Sequence, residues 1–438
     1  MRSNLTDAIV RRIGGLPRMK RVLVYSHDTF GLGNIRRMLE ISRHLVESDP
    51  DVSVLIITGS PMLHAFRIPA RIDYVKLPCL ARTLQGNYAS KYLDLSLEEA
   101  VRLRANVIRS AVLDFQPDLI LVDKKPFGVK DELADVLTPL SARGRRPKLV
   151  LLLRDILDSP EATTPVWRKN RYYEAISAYY DEVLVVGTPE VFDLGTEYAF
   201  PRRAASKINY CGYIARSPSR RSRHAVRKEL GIGAAERLVL ATAGGGEDGF
   251  ALLRAYLDAL SRLPAASMPR SLVVCGPEMS EPQRDELAAL ARRAQGVTLQ
   301  PFSDDMMSLI DAADLVVCMG GYNTVCEVLT LGKRAIVVPR VRPVQEQWIR
   351  AQRMAARGLL RALHPDELSA QTLGAAVCEE LAGLERPSRT VPALNMEGLE
   401  NVTASIQAQL SLARHPEHLV PLTHAEASWQ ALATLSAS

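Results

Sequence analysis

RLVLATAGGGEDG, Arg237–Gly249, and DLVVCMGGYNTVCE, Asp314–Glu327, are built to one plan. Each opens on a continuous run of Val and Leu, passes through glycines, and enters a helical pattern. A run of that kind, with no polar alternation, marks a strand buried on both faces of a parallel sheet. The same plan recurs outward from this pair. RSLVVCG, VTLQPF and RAIVVP lie in the same half of the chain, and RVLVYS, VSVLIIT, DYVKLP, DLILV, KLVLLLR and EVLVV in the first half. Helical stretches such as Ile35–Glu47 and Leu95–Phe115 stand between them. The fold class is therefore α/β, with two doubly wound domains facing across a cleft. A length of 438 residues suits two cores better than one.

The boundaries follow from changes of composition. Residues 1–18 read as a poorly ordered leader and 19–215 as the first domain. Residues 216–236, rich in Arg, Ser and Gly, read as a linker with a short helix. The second domain runs over 237–394, a C-terminal helix over 395–414, and a polar tail over 415–438.

Hydrophobic residues make up 47% and charged residues 24%, an ordinary globular balance. No run of about 18 apolar residues occurs, and the N-terminus lacks a signal peptide's apolar region. The six cysteines form no Cys-x-x-Cys pair, so they read as buried thiols of a cytoplasmic protein without a zinc site. The net charge of +6 is carried mostly by arginine. Arg216, Arg220, Arg221, Arg223, Arg227 and Lys228 cluster as a solvated linker face. No aromatics interleave with them, which argues against a nucleic-acid partner. Ala65–Leu84 mixes Phe66, Ile68, Ile72, Leu80 and Leu84 with arginines, and is the one candidate for peripheral contact with a membrane surface.

In an open α/β sheet, ligands bind beyond the carboxyl ends of the strands. That rule nominates loops. Gly244, Gly245 and Gly246 follow one strand, and Gly320 and Gly321 follow another, with Asn323 or Thr324 placed to cap the next helix. Glycines allow close backbone approach, and a helix N-terminus favours an anion, so each loop suits a phosphate. Two such devices favour a diphosphate over a plain turn. Glu327 either stabilises the helix start or accepts hydrogen bonds from a ribose diol. Gln345, Glu346 and Gln347 open a helix after Pro343, as cleft-facing polar groups or as a capped helix start. In the first half the loop of His27, Asp28, Gly31, Gly33 and Asn34 follows RVLVYS, Lys124 follows DLILV, and Arg154 and Asp155 close KLVLLLR. His27, Asp28 or Asp155 can take a proton from an acceptor hydroxyl.

Pro301–Met306 (PFSDDM) followed by Met319–Glu327 (MGGYNTVCE) resembles the donor domain of MurG-like glycosyltransferases. That family has the GT-B fold, two Rossmann-like domains, and includes the peptidoglycan N-acetylglucosaminyltransferase. YSHDTFGLG, VDKKPFG and LLRDILDSP in the first half resemble a bacterial group of predicted glycosyltransferases within the same class. The resemblance implies that Gly244–Gly246, Gly320, Gly321, Asn323 and Thr324 face the donor diphosphate. It implies that Glu327 holds the ribose, Phe302 the nucleobase, and Glu346 and Gln347 the donor sugar. Gly31, Gly33, Asn34, Lys124 and Arg154 then face the acceptor. Family members are inverting and metal-independent, so the implied ligand is a co-substrate, a UDP-sugar by preference, and no cofactor is implied. Related loops carry histidine where this chain has Asn34, which cannot act as a base, so the task falls to Asp28 or His27, with Asp155 in reserve. The acceptor class stays open among small molecules, glycans and lipid-linked compounds, the last at the inner face of the membrane. A nucleotide-sugar hydrolase or epimerase, or a non-catalytic sugar-nucleotide-binding protein, are the alternative readings.

Overall fold

The computed structural model describes residues 19–27, 33–61, 66–82, 88–141, 146–264, 268–384 and 393–413. The expected leader and the whole of the expected tail lie outside them, as do Asp28 and Gly31.

Among the described residues the first domain holds nine strands: β1 (Lys20–Ser26), β2 (Val52–Thr58), β3 (Ile72–Lys76), β4 (Leu80–Arg82), β5 (Tyr88–Ser90), β6 (Leu119–Asp123), β7 (Lys148–Arg154), β8 (Glu182–Val186) and β9 (Ile208–Tyr210). Seven of them form one parallel sheet in the order β3-β2-β1-β6-β7-β8-β9, and β4 and β5 make a separate antiparallel pair. The second domain adds β10 (Leu238–Thr242), β11 (Arg270–Val274), β12 (Val297–Gln300), β13 (Leu315–Cys318), β14 (Arg334–Val337) and β15 (Arg361–Ala362), again all parallel, in the order β12-β11-β10-β13-β14-β15. Every apolar run named from the sequence is a strand. The central ones, β6, β7 and β10, are buried along most of their length, because helices cover both sheet faces. Burying each Val or Leu removes about 1.5–3 kcal/mol of unfavourable hydration.

Chain order reverses once in each sheet. The first domain builds outward from β1 to β3, then returns to β6 beside β1. The second builds outward from β10 to β12, then returns to β13 beside β10. A crevice opens beyond the carboxyl ends at each reversal.

Eight helices matter below: α1 (Gly33–Ser48), α2 (Leu97–Phe115), α3 (Arg223–Glu229), α4 (Phe250–Leu260), α5 (Met306–Ala312), α6 (Tyr322–Thr330), α7 (Glu346–Ala356) and α8 (Gly398–Leu412). α2 starts where Ser96 and Glu99 form a reciprocal capping box. α8 crosses back to the first domain: Thr403 Oγ1 lies 2.8 Å from His44 Nδ1, and Ser405 and Gln409 both donate to Glu182.

Two expectations need correction. The linker arginines are not a simple solvated face, since Arg216 and Arg227 are buried. α3 packs on α5, so Arg223 and Arg227 both reach Asp314, and Arg221 reaches Asp305. The described apolar side chains of Ala65–Leu84 turn inward, away from any membrane surface: Ile72 and Leu80 are buried, and Phe66 and Ile68 pack on the core. Arg71 instead donates to the carbonyls of Val46, Asp49 and Val52. No described helix is long and apolar enough to cross a membrane.

Candidate functional site

At the β10/β13 reversal the two glycine loops meet. Gly244 has φ +68° and Gly246 φ +101°, backbone that favours glycine. A Cβ on Gly246 would lie 2.8 Å from the Cys275 carbonyl oxygen, so the turn admits no side chain there. Gly244 and Gly245 are exposed, and a Cβ on Gly244 would stand 3.8 Å from Thr324 Oγ1. The opening is thus lined by backbone from one loop and by the start of α6 from the other. Gly321 is the N-cap of α6, with no side-chain cap. Neither Asn323 nor Thr324 caps the helix as expected, because both already lie within its first turn. The first N–H groups of α6 therefore have no side-chain cap, and a helix start of this kind favours an anion through its dipole as well.

Glu327 follows one turn further along α6 and is 3% exposed. Burial holds its carboxyl above the ordinary carboxylate range, against the opposing pull of Arg36 and Arg216. Arg36 belongs to the first domain, and its guanidinium stands 3.4 Å from Glu327 Oε1. Arg216 donates to Asn323 Oδ1. Both arginines are site residues that reading the sequence missed. Arg216 was hidden in the linker cluster, and Arg36 carried no motif. The cleft is narrow here, since a Cβ on Gly33 would lie 3.6 Å from Asn323 Nδ2.

The β1/β6 reversal, on the opposite wall, is lined by side chains. His27 and Asp123 are buried, and the His27 N–H donates to Asp123 Oδ2 at 3.3 Å. Arg37 forms a buried pair with Asp123 at 2.7 Å. Asn34 Nδ2 donates to the His27 carbonyl at 2.7 Å and its Oδ1 accepts from Arg37, so Asn34 ties the loop together. Lys124 has φ +72°, a left-handed conformation costing a non-glycine residue about 1–2 kcal/mol. Burial first, then the charge of Arg154, lower its pKa to about 8, against Glu346 and Asp123.

Asp155, expected as a reserve base, has another task. Both its oxygens accept from Arg350 of α7 at 2.7 Å, Tyr213 donates at 3.1 Å, and the Ile156 N–H donates at 2.8 Å. A Cβ on Gly187 would lie 2.5 Å from Asp155 Cβ, so the carboxylate sits in a slot that only glycine leaves open. Glu346 is likewise engaged, with Arg154 at 2.5 Å, and Gln347 Oε1 accepts from the Arg340 N–H at 3.1 Å. Arg350 also donates to the Gly320 carbonyl at 2.8 Å, which joins the two walls. Phe302 stands beyond β12 with 54% of its surface exposed, an open apolar ring at the same sheet edge. Glu278 borders Gly245 and is held above the usual carboxylate range by burial and by neighbouring Glu247 and Asp248.

Residues 240–404 match the model of the glycosyltransferase family 28 C-terminal domain. The second half of the chain thus carries a match to a family 28 C-terminal domain. Curated relatives match part of the chain. One N-acetylglucosamine transferase from Verminephrobacter eiseniae, named for UDP-N-acetylglucosamine and a pyrophosphoryl-undecaprenol acceptor, is 33% identical over 171 residues, 38% of this chain and 45% of its own length. Another of the same name, from Aromatoleum aromaticum, is 36% identical over 140 residues, 32% of this chain and 38% of its own length. The chain thus spans about half the length of the first curated relatives it matches. Solved structures extend the likeness to the whole fold. Acinetobacter baumannii MurG superposes with TM-score 0.55 at 17% identity, covering 89% of this chain and 99% of that one. A UDP-glucosyltransferase from Polygonum tinctorium superposes with TM-score 0.59 at 13% identity, covering 91% and 100%. The chain is MurG-like over part of its sequence, and its fold is GT-B.

Proposed function

We propose that the protein is a glycosyltransferase that moves a sugar from a nucleotide-diphosphate donor on its family 28 domain to a hydroxyl acceptor on the first domain. The observation that carries this reading is the convergence of Gly244, Gly245 and the uncapped start of α6, with Glu327 one turn beyond. The glycine loops and the helix N-terminus stabilise the diphosphate as it departs, where charge develops. Glu327 takes the ribose hydroxyls, Arg216 stands by the diphosphate, and Phe302 offers a face to the base. The names of the curated relatives favour a UDP-sugar. Attack from the acceptor wall, opposite the nucleotide, inverts the anomeric centre. The proton goes to a side chain at the β1/β6 reversal, where His27 lies and the loop containing Asp28 begins. The acceptor is a lipid-linked compound of the kind named for the relatives, a glycan or a small molecule. The protein then works in the cytoplasm, and a lipid-linked acceptor would bring it to the inner membrane face.

Titration with UDP tests the donor site directly. Glu327→Ala should weaken UDP binding by about 1–3 kcal/mol, the range for charge-assisted hydrogen bonds. A folded variant that binds UDP as the wild type does would refute the ribose assignment. With UDP-N-acetylglucosamine as donor, EDTA should leave transfer intact. Activity that vanishes with EDTA and returns with magnesium would contradict metal independence.

A further inference from the structure

Three carboxylates stand where the acceptor wall meets the family 28 domain, and each has an arginine. Asp123 is paired with Arg37, Asp155 with Arg350, and Glu346 with Arg154. None can accept a proton without leaving its arginine uncompensated in a buried site. Lys124 is a further cation of this group. Among the described residues its ammonium has no hydrogen-bond or ion-pair partner, although it feels Glu346 of α7, Asp123 of β6, Arg154 of β7 and the adjacent Lys125.

Its place in the fold is specific. It is the first residue after β6, at the reversal beside β1, where an open sheet presents its ligand site. Its left-handed backbone is shared by Lys130 and Asp131 in the same connection. Such conformations persist where surrounding structure enforces them, and they gather at functional sites.

We infer that Lys124 is the group that takes the proton from the attacking hydroxyl, an assignment that rests on the transferase reading above. The uncharged Nζ accepts the acceptor O–H proton. The oxygen forms a bond to the anomeric carbon, and the bond from that carbon to the diphosphate oxygen breaks. Its electron pair leaves on the diphosphate, and the new ammonium returns its proton to water. With a pKa of about 8, about one Lys124 in ten is uncharged at pH 7 and half are at pH 8. That poise, produced by burial and by Arg154, suits a general base working near neutrality.

The experiment follows UDP release from UDP-N-acetylglucosamine, with water or an acceptor panel, beside UDP binding. Lys124→Met should lower release about 10²–10⁴-fold while UDP binding stays unchanged. Lys124→Arg should not restore it, because guanidinium stays protonated. Lys124→Ala should be partly rescued by methylamine, at a rate that follows the amine's free base. The wild-type rate should rise with pH through a midpoint near 8, and the Met variant should lack that limb. Trace acetylation with acetic anhydride, read by mass spectrometry, should show Lys124 titrating near 8 in the resting protein. The assignment falls if Lys124→Met keeps wild-type turnover, if the limb survives in it and is lost in His27→Ala or Asp28→Asn, or if Lys124 acetylates like an ordinary lysine. A wild type that binds no UDP overturns the transferase reading itself, which these arms separate from the fate of Lys124.

Discussion

The two sheets reverse in the same way, yet the openings they create differ in what lines them. At β10/β13 much of the lining is backbone, exposed Gly244 and Gly245 and the uncapped first turn of α6, with Glu278, Glu327 and Arg216 beside it. At β1/β6 it is side chains: His27, Arg37, Asp123 and Lys124, with Arg154, Asp155, Arg350 and Glu346 closing over them. A backbone lining offers fixed dipoles that need no counter-charge and no titration, which suits a diphosphate that must always be held. A side-chain lining can change charge, which suits a step that moves a proton. On the function proposed above, the same topology supplies one wall for binding and one for chemistry.

The comparison breaks first at Arg350, the buried link between the walls. Arg350→Met leaves Asp155 charged, buried and unpaired, so unfolding stability should fall by about 3–5 kcal/mol, read by denaturant or thermal unfolding. Adding Asp155→Leu should recover much of that loss, because the stranded charge is then gone. If the single variant is as stable as the wild type, the walls are not joined through this pair.

A smaller effect sharpens the contrast at Lys124. Its pKa is depressed from 10.5 to about 8 in the folded protein. Between those values the unfolded chain binds more protons, so stability rises with pH from about 8 to 10.5, and below 8 the cost is fully present. Lys124→Met should therefore raise stability at pH 7 by about 2 kcal/mol, after allowing for partial solvation, with the gain fading toward pH 10.5. A gain independent of pH would mean the ammonium is not desolvated.

The smallest effect tests the facing contact. The Arg36 side chain is 46% exposed although Glu327 is buried. Arg36→Ala should change stability by less than about 0.5 kcal/mol. UDP binding should hold or improve in this variant, because Glu327 loses a competitor for its oxygen. A marked fall in affinity would place Arg36 among the donor's own ligands.

Much of the β10/β13 opening was legible in the sequence because its devices are local. A strand, its glycines and the next helix are contiguous, so Gly244, Gly246, Gly320 and Glu327 could be named from order alone. The acceptor wall was harder to read. Asp155 looks like a spare carboxylate until Arg350, distant in the chain, is brought against it. Asn34 looks like a missing base until its amide is found bonding the His27 carbonyl. Arg216 looks like one charge in a linker until α3 packs on α5 and its guanidinium turns to Asn323.

The sequence by itself determined the two parallel sheets, the glycine loops at their edges and the divide between the halves, since these follow from runs of apolar residues and from backbone that tolerates no side chain. Only the tertiary structure decided which charges are paired. Pairing depends on which strand ends and helices meet across the cleft, and burial there turns each unmatched charge into a cost that the next residue must offset. By that test Asp155, Asp123 and Glu346 are engaged by arginines, and Lys124 is left poised to change its charge.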